Sequence, residues 1–290
     1  MAQPKSHFMS AGHQPDPCPN RLVERAHHGL GVGPWVPADK HRYLCEYLWA
    51  TRYAWASPAW KARVLLDPFC GPGRIQVRGE NFTRDGGVVA AWRESVASGA
   101  PFTHILIGDK DPARANDCAG RLRALGAPVQ SFTGPASDTV PLMVKAVPGQ
   151  ALTLAYVDPY NLELLRFDMF QALAPLRVDI AAHFSTMDLH RNVEMEFDPQ
   201  RDRFDGTAPG WRTHPEIIGV SKKNVPLQFL RYWQDKVVGL GYVCSQAMPL
   251  VHNDEGHALY RLVFFARSDW PMKIWGDIAR SGVAQRGFDF

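Results

Sequence analysis

Val64-Leu65-Leu66-Asp67-Pro68-Phe69-Cys70-Gly71-Pro72-Gly73 is a short apolar run that ends in a carboxylate and then breaks into a loop carrying Gly-x-Gly. In an α/β fold this pattern is a buried strand delivering its carboxyl end to a ligand, with backbone close enough to touch it. Glycine at 71 and 73 permits unusual φ and leaves no Cβ in the way of a bound molecule. The Asp67 carboxylate offers acceptors to an amine or hydroxyl and repels a phosphate. The loop therefore suits an adenosine-type molecule with a charged amino-acid tail.

Two better-known glycine loops are excluded. A dinucleotide fingerprint places a third glycine where this chain has Gln76, and a Walker loop requires Gly-Lys-Ser/Thr. The remaining pattern, Asp-x-Phe-x-Gly-x-Gly over Asp67, Phe69, Gly71 and Gly73, is typical of S-adenosylmethionine (SAM) sites; the competing reading is a tight turn after a core strand.

Outward from this loop, strand-like runs at 62–67, 103–109, 128–133, 152–158 and 178–184 alternate with helical patterns at about 86–98, 112–125, 137–147 and 166–175. Such alternation implies right-handed βαβ crossovers and a parallel sheet. A helix with Leu44, Tyr47, Leu48 and Thr51 on one face precedes the first strand, beginning near Asp39 with Trp35 and Lys40 at its opening. After a helix at 226–240, Tyr242–Val251 and Ala258–Arg267 flank the turn Asn253-Asp254-Glu255-Gly256 and predict an antiparallel hairpin. A last helix spans about 271–281. The expected fold is α/β and Rossmann-like, a mostly parallel seven-stranded sheet closed by a C-terminal hairpin, as in SAM methyltransferases. Residues 1–20 read as a flexible leader and 21–290 as one domain. Two segments interrupt the simple alternation: 74–87 delays the first crossover, and the polar stretch 186–225 reads as an insertion over the ligand edge, where substrate choice is commonly made.

Length and composition bound the function. With 290 residues, 46% hydrophobic, the chain can bury a full core. A net charge of +3 permits a nucleic-acid partner without requiring one. The 5 cysteines are scattered, with no Cys-x-x-Cys, so neither a zinc site nor a disulfide framework is indicated and a reducing cytoplasm is expected. No apolar run approaches the roughly 20 residues of a membrane helix. His183, His190 and His214 lack compact ligand spacing, and no metal is expected.

Further candidates lie at the ends of the other strands. Asp109 closes Ile105-Leu106-Ile107-Gly108-Asp109, where a carboxylate accepts both ribose hydroxyls of a nucleoside. It follows Asp67 by 42 residues, more than the about 20 of a compact unit, and the 74–87 segment explains the excess. Lys110 stands beside it. Asp111 is the rival acid, although Asp111-Pro112 also reads as the cap and first residue of a helix. Asp138, in Gly134-Pro135-Ala136-Ser137-Asp138, either accepts from an adenine amino group or, like Ser137, caps the helix that follows. The fourth long strand ends in Val157-Asp158-Pro159-Tyr160-Asn161, similar to the Asp/Asn-Pro-Pro-Tyr element of amino methyltransferases but without its second proline. A base amine is a poor nucleophile because its lone pair is delocalised. Acceptors at Asp158 and the Pro159 carbonyl would hold its N–H groups, and Tyr160 would stack on an extruded planar substrate. Alternatively, Asp158 closes the cofactor pocket and Tyr160 only packs. Arg191 and Asn192 follow the fifth strand as candidate substrate contacts, or as solvated residues. Cys70, inside the glycine loop, is not placed to act as a cytosine-C5 nucleophile.

Several of these stretches together resemble the three-Cys-motif partner (TcmP) proteins. They are Trp35 with Asp39-Lys40-His41, Asp67 to Gly73, Asp85-Gly86-Gly87-Val88-Val89-Ala90, Gly108-Asp109-Lys110-Asp111-Pro112, Val157 to Asn161, Val178-Asp179, Asp188-Leu189-His190-Arg191-Asn192, and Leu259 to Ala266. The similarity runs from about 33 to 280. It departs at Asp85-Gly86-Gly87, where that family commonly has a Gly-Ser-Pro-like turn, and at Asp158-Pro159-Tyr160-Asn161, where it often has Asp-Pro-Phe-Gly. The resemblance implies a SAM-methyltransferase-like fold and a separate partner that carries the three cysteines, a radical-SAM-type enzyme, often in phage or mobile-element settings. The leading expectation is a SAM-dependent methyltransferase acting on an amine of a nucleic-acid base or related planar substrate. In it Asp67, Phe69, Gly71, Gly73, Asp109, Lys110 and Asp138 hold the cofactor, Asp158, Pro159 and Tyr160 position the substrate, and Lys40, Arg191 and Asn192 touch it. The alternative is a catalytically weak SAM-fold subunit that serves the three-cysteine protein.

Overall fold

The structure, a computed structural model, describes residues 14–26 and 29–286. A π-helical turn, Val36–His41, leads into α1 (Arg42–Trp55), so the first helix starts in irregular form around Lys40 rather than as a regular helix at Asp39. Then come β1 (Ala62–Asp67), β2 (Arg74–Gln76), β3 (Thr83–Asp85), α2 (Gly87–Ala97), β4 (His104–Asp109), α3 (Pro112–Ala124), β5 (Val129–Thr133) and α4 (Ala136–Ala146). The chain continues through β6 (Ala151–Val157), α5 (Phe167–Leu173), β7 (Val178–Phe184), α6 (Thr186–Asn192), α7 (Pro215–Ile218) and α8 (Val225–Val238). It finishes with β8 (Val243–Cys244), β9 (Leu250–His252), β10 (Ala258–Ala266) and α9 (Asp269–Arg286).

The main sheet has the order β5-β4-β1-β6-β7-β10-β8, with β9 also paired to β10. All pairings from β5 to β7 are parallel, and β10 runs antiparallel to β7, β8 and β9. This is the expected Rossmann-like methyltransferase topology. It differs in one detail: the expected strand 242–251 is split into β8 and β9, making eight strands. Between them Pro249, which has no N–H, gives only its carbonyl to Leu262.

β1 is apolar on both faces because both are covered. Its Val64 and Leu66 join a core with α4, α5 and α8, while Leu65 joins a second core with α1, α2, α3 and α9. Phe264 of β10 is stacked on Trp275 of α9, with ring centroids 4.8 Å apart, and Tyr47 of α1 meets the same ring. The 186–225 segment is anchored in the core by its aromatics. Phe204 and Trp211 are fully buried and pack edge-on against Phe229 of α8, which draws the segment into the first core.

The 74–87 segment forms the β2–β3 hairpin, and Glu24 and Val32 join it through parallel bridges to Ile75 and Val77. Of the expected leader, 1–13 lie outside the described residues, whereas 14–20 are tied to the domain. Arg121 of α3, 0% exposed, donates to both Asp16 oxygens at 2.9 and 2.8 Å and to the carbonyls of Leu22 and Pro72. Arg74, also buried, donates to the Gln14 carbonyl and pairs with Asp85. Two buried guanidiniums thus fasten this N-terminal strap to the glycine loop and the hairpin. Removing one leaves carboxylate and carbonyl groups without donors in a dry setting. Arg121→Met is expected to lower the unfolding free energy by about 3–5 kcal/mol in urea titration. A loss below ~1 kcal/mol, the scale of an exposed pair, would show that the clamp does not stabilise the fold.

Candidate active site

The carboxyl ends of β4, β1 and β6 are adjacent, so Asp109, Asp67 and Asp158 converge on one edge of the sheet. The chain leaves β1 through left-handed glycines, Gly71 at φ +55° and Gly73 at φ +75°. A Cβ on Gly73 would stand 3.0 Å from Cys118 Sγ, and one on Gly71 3.3 Å from an Arg114 nitrogen. This geometry lets the loop fold back on itself. The Gly71 N–H reaches Asp109 Oδ2 at 3.2 Å, and the Cys70 N–H reaches the Gly108 carbonyl at 2.9 Å.

The three carboxylates have different surroundings. Asp67 is only 2% exposed and accepts the Phe69 N–H at 3.0 Å; burial, with Asp158 and Asp109 nearby, pushes it well above the usual carboxylate range. It braces the loop from beneath rather than presenting an open carboxylate. Asp109 is partly open, and besides Gly71 it accepts from the Asp111 N–H at 2.9 Å and from Arg114 Nε at 3.4 Å. Asp111 caps α3 through the Ala113 N–H at 2.8 Å, with Pro112 behind it.

Asp158 is the hub of a cluster assembled from four elements. Lys40 Nζ donates to Oδ1 at 2.7 Å, His183 Nδ1 of β7 lies 3.0 Å from the same oxygen but off the hydrogen-bond direction, and the Tyr156 hydroxyl reaches Oδ2 at 3.4 Å. Lys40 also sits 4.5 Å above the Tyr260 ring, on which His183 stacks at 5.5 Å. Burial alone would raise the Asp158 carboxyl, but His183 and Lys40 outweigh it and hold the group well below the usual range. Burial pushes the His183 imidazole down against the pull of Asp158, and the neighbouring His41 down to about 3, so His41 is neutral at pH 7. The cluster therefore sets Lys40 against Asp158, with the imidazoles of His183 and His41 close by. A π-helical turn carries Lys40 and His41, a form of backbone frequent at functional sites.

The other sequence candidates are placed as follows. Tyr160 is 72% exposed on the loop after β6. Asn161 caps the turn Leu162–Leu164, and the insertion braces this loop: Asp188 accepts the Leu162 N–H at 2.8 Å, and Thr207 donates to the Leu162 carbonyl at 2.7 Å. Asn192 spends its amide on Asp188 at 2.8 Å, so it supports the loop, and Arg191 is exposed on α6. Lys110 and Asp138 are exposed near the ends of β4 and β5. Neither Ser137 nor Asp138 caps α4 through its side chain, because Pro135 holds the cap position. Phe69 is half-buried in the glycine loop. Sequence reasoning missed Glu24, Arg114, Tyr156 and Tyr260. Arg114 stands five residues after Asp109 on the first turn of α3, a spacing that reaches back to the strand end. Glu24 carries no local signal. Among the described residues no group of His, Cys, Asp or Glu is arranged to hold a metal ion.

The donor and acceptor set fits an adenosyl cofactor: a loop shaped by two left-handed glycines and a partly open carboxylate, Asp109, at the neighbouring strand end. No protein-family model matches the chain, and no curated protein matches it. Several solved structures resemble it across most of their length. Protein LPL1258 from Legionella pneumophila is 10% identical, with 82% of this chain and 90% of that one covered and a TM-score of 0.49. Cofactor-bound Rv0187 from MTB is 15% identical over 80% and 81%, at 0.44. The O-methyltransferase TomG from Streptomyces achromogenes, in complex with SAM, is 14% identical over 76% and 78%, at 0.39. Likenesses at this level add nothing to the chemistry, which rests on the geometry. For the Asp158 cluster, a double-mutant cycle of Lys40→Met and Asp158→Asn is expected to give a coupling of about 1–3 kcal/mol in urea denaturation. A coupling near zero would mean that the ion pair does not organise the site.

Proposed function

We propose that the chain is a SAM-dependent methyltransferase that N-methylates a nucleic-acid base or a related planar amine. One observation carries this reading: the Gly71–Asp109 closure and the Asp158-Pro159-Tyr160 edge stand side by side, on strands that flank β1. When bound, the cofactor supplies an electrophilic methyl group on a sulfonium, which leaves the protein mainly a positioning task. Asp109 is suited to a ribose diol, with Gly71, Gly73 and Phe69 along the glycine loop and Lys110 and Asp138 at the rim. Asp158 Oδ2 and the Pro159 carbonyl are suited to the two N–H groups of an amine, and Lys40 fixes the carboxylate through its other oxygen. Tyr160 offers an exposed ring for stacking. Lys40 belongs to this machinery by holding Asp158, whereas Arg191 is available to a substrate phosphate from α6.

The resemblance to three-Cys-motif partner proteins supports a second reading, a weakly active SAM-fold subunit working with a radical-SAM-type protein that carries the three cysteines. The commitment of Asp158 Oδ1 to Lys40, together with the missing second proline, favours it. Either role suits a cytoplasmic protein; Cys18, Cys45, Cys70, Cys118 and Cys244 are all free thiols, and no helix among the described residues is long and apolar enough to cross a membrane. Calorimetric titration is expected to give micromolar SAM binding, weakened at least about tenfold by Asp109→Ala, the scale of one or two lost charge-assisted hydrogen bonds, and no NAD binding. With labelled SAM and DNA or RNA acceptors, Asp158→Ala is expected to abolish transfer while leaving SAM affinity intact. SAM binding with no transfer to any acceptor would favour the subunit, and absence of SAM binding would overturn the enzyme.

A further inference from the structure

Asp109 is the acceptor on which the cofactor reading rests, and its capacity is nearly used up within the protein. A carboxylate has about four lone-pair sites. The Asp111 N–H takes one on Oδ1, while the Gly71 N–H and Arg114 Nε both fall on Oδ2. A ribose diol needs two sites, ideally one on each oxygen. Only the contact to Arg114 can be given up without unfolding the loop or the cap of α3, and at 3.4 Å it is the longest of the three. The Arg114 guanidinium also lies against Gly71, within 3.3 Å of where a Cβ would stand, so it occupies the surface of the cradle itself.

A second acid is waiting for that guanidinium. Arg114 also pairs with Glu24, which the N-terminal strap brings 90 residues back along the chain. The backbone of Glu24 is pinned from both sides: its N–H donates to the Arg74 carbonyl, and its carbonyl accepts from the Gln76 N–H, each at 2.8 Å. Arg121 and Arg74, both buried, hold the strap where it is. Glu24 is therefore a rigidly presented anion at the rim of the glycine loop, and the guanidinium is shared between it and Asp109.

We propose that Glu24 is a positioning residue of the cofactor site, holding Arg114 away from Asp109 so that both oxygens of Asp109 can receive a ribose diol. The proposal rests on the SAM reading and deepens it. With Glu24 in place, Arg114 gives up a long contact to Asp109 and keeps a short one to the strap. Without it, Asp109 is the remaining anion in direct contact with Arg114, and a ribose must then displace a full ion pair. Arg114 in turn links the strap to the site, since one guanidinium touches strap, strand end and glycine loop.

The test is SAM affinity of the full chain by calorimetry, for the wild type and for Glu24→Gln, Arg114→Met and the double variant, with thermal unfolding to verify that each is folded. Glu24→Gln is expected to weaken SAM binding roughly three- to tenfold, as suits a partly exposed pair. Arg114→Met is expected to bind SAM at least as well as the wild type, and the double variant is expected to match Arg114→Met. That non-additivity is the signature of Glu24 acting through Arg114. Unchanged affinity in Glu24→Gln, or the same loss with and without Arg114, would overturn the proposal. A wild-type chain that fails to bind SAM would instead overturn the cofactor reading beneath it.

Discussion

The hydrogen bond from the Gly71 N–H to Asp109 joins the ends of two adjacent parallel strands, and the arrangement of the carboxyl edge depends on it. It requires a left-handed residue directly after a buried strand, which glycine supplies at little cost. It also requires the loop to lie flat on α3, which the missing Cβ of Gly73 allows beside Cys118. With the loop closed, Pro72 presents its carbonyl to Arg121, and Arg121 in turn secures the strap. A single local conformation thus links the glycine loop, Asp109 and the N-terminal strap.

Three carboxylates on neighbouring strand ends would repel one another if all were ionised and open. The molecule separates them by surroundings. Asp67 is buried and pushed upward, Asp158 is paired with Lys40 beside His183 and Tyr156, and Asp109 is partly open with the Arg114 guanidinium beside it. An edge organised in this way suits a cationic ligand with hydroxyls near Asp109. It also explains why Asp158 is less of a free acceptor than its place in Asp-Pro-Tyr implies.

Much of this was legible in the sequence. The strands and helices of the alternating part fell within a residue or two of expectation because apolar runs of strand length, broken by Gly, Pro and Asp, leave little choice of register. The glycine loop, Asp109 and the capping role of Asp111 were readable because each depends on near neighbours in sequence. The polarity of 186–225 was misleading: its many charged residues conceal Phe204 and Trp211, whose burial depends on α8, a partner that local pattern does not name. Likewise the split of 242–251 follows from Pro249 in a strand that must pair with β10. The Lys40–Asp158 pair, 118 residues apart, and the Glu24–Arg114 pair are contacts of topology, invisible to spacing. The bonds of Asn192 to Asp188, which in turn holds the Leu162 N–H, are likewise not legible from its polarity alone.

The most direct test is a crystal structure of the full chain with S-adenosylhomocysteine, the demethylated form of the cofactor. The nucleoside is predicted to lie on the glycine loop with both ribose hydroxyls on Asp109, Arg114 drawn from Asp109 onto Glu24, and the sulfur facing the Asp158-Pro159-Tyr160 edge. A nucleoside bound elsewhere, or bound with Asp109 still taken by Arg114, would contradict the assignment of this edge as the cofactor site.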